Sequence, residues 1–347
     1  MKKVVIVGGG VAGKVLASDL VKNKNIETVL VEPKDYIEVP FARLRALVEP
    51  DDFSPTIRRN FSELIPEVKH IKMRATGIKE KKLFLEDGSD VDFDYLVIAT
   101  GAKFLSWPFL NSPEKDIESR QKAVAKEADK ITKANSILII GGGSVGVELA
   151  GEIAYRWKDK DITLIEGSSR ILGGLSEKMT KRATKILKSM NVKITTNKKL
   201  SEDKDGKLID ADGSVYEADL VFKAVGISIE SDWIDDDSGI SKTERGAIKV
   251  DGSLRAIGRD DVFAIGDITD VPEIKLGAFA VKHSDITAKN LNSLISNPDA
   301  KLKTYKPGKD ISMVPIGKKL GAVQIPFGHP HFLIFIKQKD LFMSKVF

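Results

Sequence analysis

One supersecondary pattern, present twice, restricts this chain to a narrow set of folds. Lys3 to Val7 is a short, β-prone apolar run, followed by Gly8-Gly9-Gly10-Val11-Ala12-Gly13. A helical spacing through Val15, Leu16 and Leu20 comes next, then the apolar run Thr28 to Val31, closed by Glu32. The second copy starts at Ser136 to Ile140 and continues through Gly141-Gly142-Gly143-Ser144-Val145-Gly146, a helix past Leu149 and Ile153, the strand Ile162 to Ile165, and Glu166. The acid lies 19 residues beyond the last glycine in the first copy and 20 beyond it in the second. Strand, glycine turn, helix, strand and acid at these offsets make a βαβ unit shaped for a dinucleotide.

Each glycine has its own physical task. Gly8 and Gly141 permit the tight turn, Gly10 and Gly143 let backbone approach a pyrophosphate, and Gly13 and Gly146 let the helix lie close on its strand. The helix N-terminus offers free N–H groups and the positive end of a dipole to phosphate. Glu32 and Glu166 stand where ribose hydroxyls would donate to them. The expected fold is α/β, with two Rossmann-like dinucleotide-binding domains and a small C-terminal α+β section.

Between the copies, Lys82 to Leu85 and Val91 to Ile98 read as strands, the second ending at Ala99-Thr100-Gly101. Its counterpart is Glu217 to Lys223, ending at Ala224-Val225-Gly226. Pro108 and Pro113 mark a linker. A late run, Asp261 to Ile265, ends at Gly266-Asp267 and precedes a helix from about Gly277 to Leu294. Pro298 and Pro307-Gly308 open a section in which short β-like runs are expected. The expected division is 1–107 with 248–297, then 108–247, then 298–347.

Composition narrows the chemistry. With no cysteine, disulfides, Fe–S clusters, thiolate zinc sites and relays through a cysteine pair are excluded. His329-Pro330-His331 brings too few ligands for a metal, and no metal site is expected. No apolar run approaches the roughly 20 residues of a membrane-spanning helix. Neither a secretory pattern nor a myristoylation signal opens the chain, so a cytoplasmic protein is expected, with peripheral membrane contact left open. Residues 301–347 carry nine lysines against Asp310 and Asp340, although the whole chain is only +5. With Phe327, Phe332, Leu333, Phe335 and Ile336, that basic tail reads as an edge facing anionic lipid or closing a pocket, or as a small β core with a solvated, lysine-rich edge. Nucleic acid is not expected, because the lysines lack interleaved arginine and aromatic contacts. A homodimer is allowed by the sequence and not required by it.

In this order the motifs resemble the two-dinucleotide-domain flavoproteins of the pyridine nucleotide–disulfide reductase superfamily, over nearly the whole chain. A finer likeness is to the apoptosis-inducing factor-like branch that includes ferroptosis suppressor protein, itself similar to type II NADH dehydrogenases. Lys34-Asp35, Leu44-Arg45-Ala46-Leu47-Val48-Glu49, Gly143-Ser144-Val145-Gly146-Val147-Glu148, Tyr305-Lys306-Pro307-Gly308 and Asp340-Leu341-Phe342 carry it. The chain ends soon after that last stretch, where relatives are expected to run a little further. The resemblance implies FAD at Gly8, Gly10, Ala12, Gly13, Glu32, Lys34, Arg45, Ala99, Thr100, Gly101, Gly266, Asp267, Lys275 and Ala278. It implies NADH, with NADPH left open by Ser168, Ser169 and Arg170, at Gly141, Gly143, Ser144, Val145, Gly146, Glu148, Glu166, Ala224, Val225 and Gly226. Phe279, Val281 and His283 become candidates for an acceptor pocket, and a quinone is the expected acceptor.

Superposing the two copies isolates one residue. Aligning Gly13 with Gly146 sets Val15 opposite Glu148, a carboxylate on a helix face that should pack on the sheet. A buried acid needs a partner. Glu148 is therefore the candidate catalytic residue, with a structural ion pair as the other reading. The competing functions are reduction of a small redox protein or radical, and redox sensing with little turnover.

Overall fold

The computed structural model describes residues 1–229, 231–308 and 311–347. Lys309 and Asp310, counted above in the C-terminal charge, lie outside the described residues. Two parallel sheets organise the molecule. In the first, Lys2–Val7 is central between Ile26–Val31 and Tyr95–Ile98, with Lys69–Ile71 and Val262–Ala264 at the edges. In the second, Ser136–Ile140 lies between Asp161–Ile165 and Leu220–Lys223, with Lys193–Thr195 outside.

Burial explains why the central strands are continuously apolar. Val4 and Ile6 face the helices Val11–Leu20 and Gly277–Ser296 through Leu16, Leu20 and Leu291. Val5 and Val7 face the opposite way, onto a small antiparallel sheet that contributes Ile78, Leu83 and Leu85. A strand covered on both faces has no polar side to show. The second sheet repeats the plan: Ile137 and Ile139 pack under Ser144–Arg156 and Glu177–Ser189, and Leu138 under a short strand carrying Leu208.

Two expectations needed correction. The run from Val91 to Ile98 divides at Phe93-Asp94, because the Asp94 carboxylate takes the Lys3 N–H and pairs with Lys2, turning the chain into the sheet. The tail forms one β-hairpin, Ser312–Ile316 with Leu320–Gln324, but Phe332 to Ile336 is helical rather than β-like. Helical geometry sends Ile334, Lys337 and Leu341 inward, three and four residues apart, and leaves Phe332 and Phe335 outside.

The sheets are joined by more than a linker. Helix Arg43–Val48 leaves the first unit and sinks Leu44, Leu47 and Val48 into the core of the second. Beside it, buried Glu38 receives Arg43 Nε at 2.7 Å, Arg58 Nε at 2.7 Å and Arg120 Nε at 3.0 Å, together with the Ser112 hydroxyl. Burial pushes this carboxyl up, but the three guanidiniums together hold it far below the usual carboxylate range. Arg120 belongs to the helix Ile117–Lys133 that leads into the second sheet, so one carboxylate ties both units. Glu38→Ala should cost about 3–5 kcal/mol of stability, since it strands buried arginines, as read by chemical denaturation; a loss below about 1 kcal/mol would refute the hub.

Candidate functional site

The two glycine turns are near-identical. A Cβ built on Gly8 would meet the Ala99 carbonyl oxygen at 2.6 Å, and one on Gly141 would meet the Ala224 oxygen at 2.6 Å. On Gly13 it would lie 1.9 Å from the Gly8 oxygen, and on Gly146 1.9 Å from the Gly141 oxygen. Gly10 and Gly143, by contrast, face open space and are exposed. The following helices carry no side-chain cap, leaving their first N–H groups to a ligand. A concave turn of bare backbone donors is what a pyrophosphate needs, and the chain has two.

Both closing acids brace their own turn. Glu32 Oε2 accepts the Gly9 N–H at 2.7 Å, and Glu166 Oε2 accepts the Gly142 N–H at 2.7 Å. Glu32 Oε1 also takes the Lys34 N–H, and Glu166 Oε1 takes the Ser168 N–H and hydroxyl. Each oxygen keeps lone-pair capacity for a sugar hydroxyl. The Lys34 side chain is partly buried, has no ion-pair partner within 4.0 Å among the described residues, and its pKa is lowered by that burial. Arg170 is already committed: it donates to the Gly173 and Leu175 carbonyls at 2.8 Å each and to Thr180 Oγ1 at 2.6 Å.

Around the first turn gather Ala99, Thr100 and the Gly266-Asp267 turn. Gly266 lies against Ala12, their Cβ positions 3.4 Å apart if Gly266 had one. The Asp267 carboxylate takes no hydrogen bond among the described residues, and burial raises its pKa against the pull of Lys275. Lys275 Nζ itself donates to the Thr269 carbonyl, pinning the loop that leads to Gly277 and Ala278 at the helix start.

On the second helix, Glu148 is only 14% exposed at its side chain and lies 3.3 Å from Lys337 Nζ. Burial raises its pKa, and Lys337 opposes that rise. Lys337 also donates to the Met313 carbonyl at 2.9 Å. A protonatable carboxyl and an ammonium therefore meet at the second glycine turn. The sequence raised Glu148 and left its partner unassigned. One turn on, Glu152 is a second inward acid, four residues from the first, which comparison of the copies does not mark because its counterpart Asp19 is also an acid.

Three assignments change. Arg45 is not free for a phosphate: it is buried, with Nη2 2.8 Å from Glu152 Oε1, 2.6 Å from Gln338 Oε1 and 3.3 Å from the Gly317 carbonyl. A guanidinium at that distance from a buried carboxylate is held there by the cost of stranding either charge. His283 lines no pocket, because it is 1% exposed, its Nδ1 takes the Gly266 N–H and its Nε2 lies 2.9 Å from Glu273 Oε1. Val281 packs on the first core. Phe279 does face a cavity of about 340 Å³, which it shares with Pro272, Glu273, Ile274 and Gly308. His329 bonds the Ser176 hydroxyl, 153 residues away, and His331 accepts the Val323 N–H. Arg45→Leu should cost about 3–5 kcal/mol by stranding Glu152, and the loss in denaturant midpoint should be the same with and without excess FAD; a loss that appears only when FAD is added would restore Arg45 as a cofactor contact.

A family model described as pyridine nucleotide-disulphide oxidoreductase matches residues 2–284. The chain is 31% identical over 353 residues to apoptosis-inducing factor homolog A of Dictyostelium discoideum, covering 93% of this chain and 85% of that one. It is 30% identical over 369 residues to ferroptosis suppressor protein 1 of Xenopus tropicalis, covering 99% of this chain and 94% of the relative. Among solved structures, NDH2 from Plasmodium falciparum in complex with NADH superposes with a TM-score of 0.79 at 15% identity, over 100% of this chain and 95% of the other. That last likeness speaks to fold alone.

Proposed function

The chain belongs to the pyridine nucleotide-disulphide oxidoreductase family, and from that premise we propose that it is an FAD-dependent NADH:quinone oxidoreductase. The observation that carries this reading is a doubled nucleotide cradle in a chain without cysteine. FAD, when bound, supplies the two-electron chemistry that links a nicotinamide donor to an acceptor. The Gly8–Gly13 turn, Glu32, Lys34, Ala99 to Gly101 and Asp267 would hold it, within a unit made of residues 1–107 and 248–297. The Gly141–Gly146 turn, Glu166 and Ala224 to Gly226 would hold the nicotinamide nucleotide, within 108–247. With no redox thiol pair, the acceptor must approach the cofactor itself.

Reducing a quinone to a quinol takes two electrons and two protons. A hydride brings both electrons and one proton, so the protein or solvent supplies the other. Glu148 is suited to hold that proton at a carboxyl oxygen, because burial favours its neutral form, and Lys337 keeps the ionised form accessible. The NADH preference rests on Glu166, whose carboxylate repels a 2′-phosphate, and on Arg170, whose donors are engaged elsewhere.

The acceptor reading draws on the C-terminal helix Ile334–Asp340. Its inner side reaches Glu148 through Lys337 and Arg45 through Gln338. Its outer side, with the turn before it, shows Phe332 at 72% and Phe335 at 61% exposure, near Phe327 at 98%. No helix of the described residues is long and apolar enough to cross a membrane. Exposed aromatics with lysines fit contact with a lipid surface, where a flat apolar quinone dissolves.

Purified protein should show flavin absorbance and oxidise NADH faster when a ubiquinone analogue is added; no flavin spectrum after reconstitution with FAD would end this reading. The kcat/KM for NADH should exceed that for NADPH by about tenfold or more. Glu148→Gln should slow reoxidation of the reduced flavin by the quinone analogue by about tenfold in stopped flow. Lys337→Met removes the charge that opposes burial, so the pH profile of that step should move to higher pH. An unmoved profile in Lys337→Met would remove the pair from the chemistry.

A further inference from the structure

Two adjacent residues of helix Gly277–Ser296 hold the two halves of the first cradle. Ser284 Oγ donates to the Ala12 carbonyl at 2.8 Å, within the first glycine turn. His283 Nδ1 accepts the Gly266 N–H at 3.0 Å, at the turn that carries Asp267. Both side chains are fully buried. Because Nδ1 accepts, it bears no proton, and the neutral ring keeps its hydrogen on Nε2. Nε2 lies 2.9 Å from Glu273 Oε1. Glu273 Oε2 is fixed in turn by the Tyr305 hydroxyl and the Gly308 N–H, each at 2.7 Å. The Tyr305 ring stands edge-on to the imidazole, 4.4 Å between centroids.

We infer that His283 is a positioning residue for FAD: anchored by Glu273, its imidazole holds the Gly266-Asp267 turn in register with the Gly8–Gly13 turn, and a proton on Nδ1 releases that hold. This rests on the FAD reading above. The chemistry follows from donor counting. A protonated Nδ1 would aim its own N–H at the Gly266 N–H, two donors with no acceptor between them, at a buried site. The groups around the ring are Glu273, which favours its protonation, Lys275, which disfavours it, and the phenol of Tyr305, with Asp267 beyond Lys275. Burial outweighs Glu273 and lowers the histidine's pKa. A depressed pKa places the hold at neutral pH and above, and it is lost as pH falls through the folded-state value.

The test is FAD release from the diluted holoprotein, followed by the fluorescence of free flavin between about pH 5 and pH 8. The wild type should release FAD progressively faster on acidification. His283→Leu, which leaves the Gly266 N–H without an acceptor, should release FAD about tenfold faster at neutral pH and lose the pH dependence. His283→Asn places an amide oxygen where Nδ1 stood; it should retain FAD near the wild-type rate at neutral pH and show a flattened acid response. Flavin bound normally in His283→Leu, with the wild-type rate and profile, overturns the inference while leaving the FAD reading intact. Should His283→Leu fail to fold, His283→Asn decides alone: an acid response as steep as the wild type's overturns the inference. A wild-type protein that carries no flavin fails the earlier reading instead.

Discussion

The geometry of the molecule hangs on a carboxylate with three arginines around it. Glu38 takes donors from a strand, a short helix and the linker helix at once, and these elements belong to different units. An ion cluster removed from water is justified less by its energy than by its directionality, since each fork of each guanidinium has one good place to sit. Two nucleotide cradles are useful only if their ligands meet. Apolar contacts between units tolerate small slides; a buried, hydrogen-bonded ion cluster at the joint does not. Arg45 with Glu152 and Gln338 makes a second such joint a few residues on, and it draws the C-terminal helix into the same frame.

The two copies are alike where backbone meets phosphate and unlike where side chains meet the reacting groups. Their turns give the same carbonyl-oxygen approaches, 2.6 Å at Gly8 and Gly141 and 1.9 Å at Gly13 and Gly146. Val15 and Glu148 then part company. The first helix receives Ser284 from a late helix, while the second receives Lys337 from the tail. Duplicated backbone supplies the binding, and later segments of the chain supply what distinguishes one cradle from the other.

How much of this is legible in the sequence depends on the range of the interaction. The glycines and acids of each cradle lie within one βαβ unit, so their spacing alone discloses their geometry. Glu148 was visible because the other copy provided a reference. The contacts of Arg45 are hidden from its sequence context because Glu152 lies 107 residues away, and nothing local separates an arginine bound for a phosphate from one bound for a carboxylate. Those of His283 are hidden for the same reason: it sits in a helix pattern, and its contacts come from a turn and an acid outside that pattern. Phe332 to Ile336 reads as a strand by composition. It became helical because the inward positions had to deliver Lys337 and Gln338 to charges already buried there.

The order of the strands carries a consequence for how the protein is made. The second sheet closes among neighbours in the sequence and is complete once residue 223 has left the ribosome. The first sheet was begun earlier but lacks its edge strand Val262–Ala264, and helix Gly277–Ser296 has yet to cover its face. For much of its synthesis the N-terminal half therefore has helix Val11–Leu20 alone over Val4 and Ile6, without the late helix that completes their cover. The element begun first finishes last, and any molecule that supports the opening strands in that interval would govern the yield of folded protein.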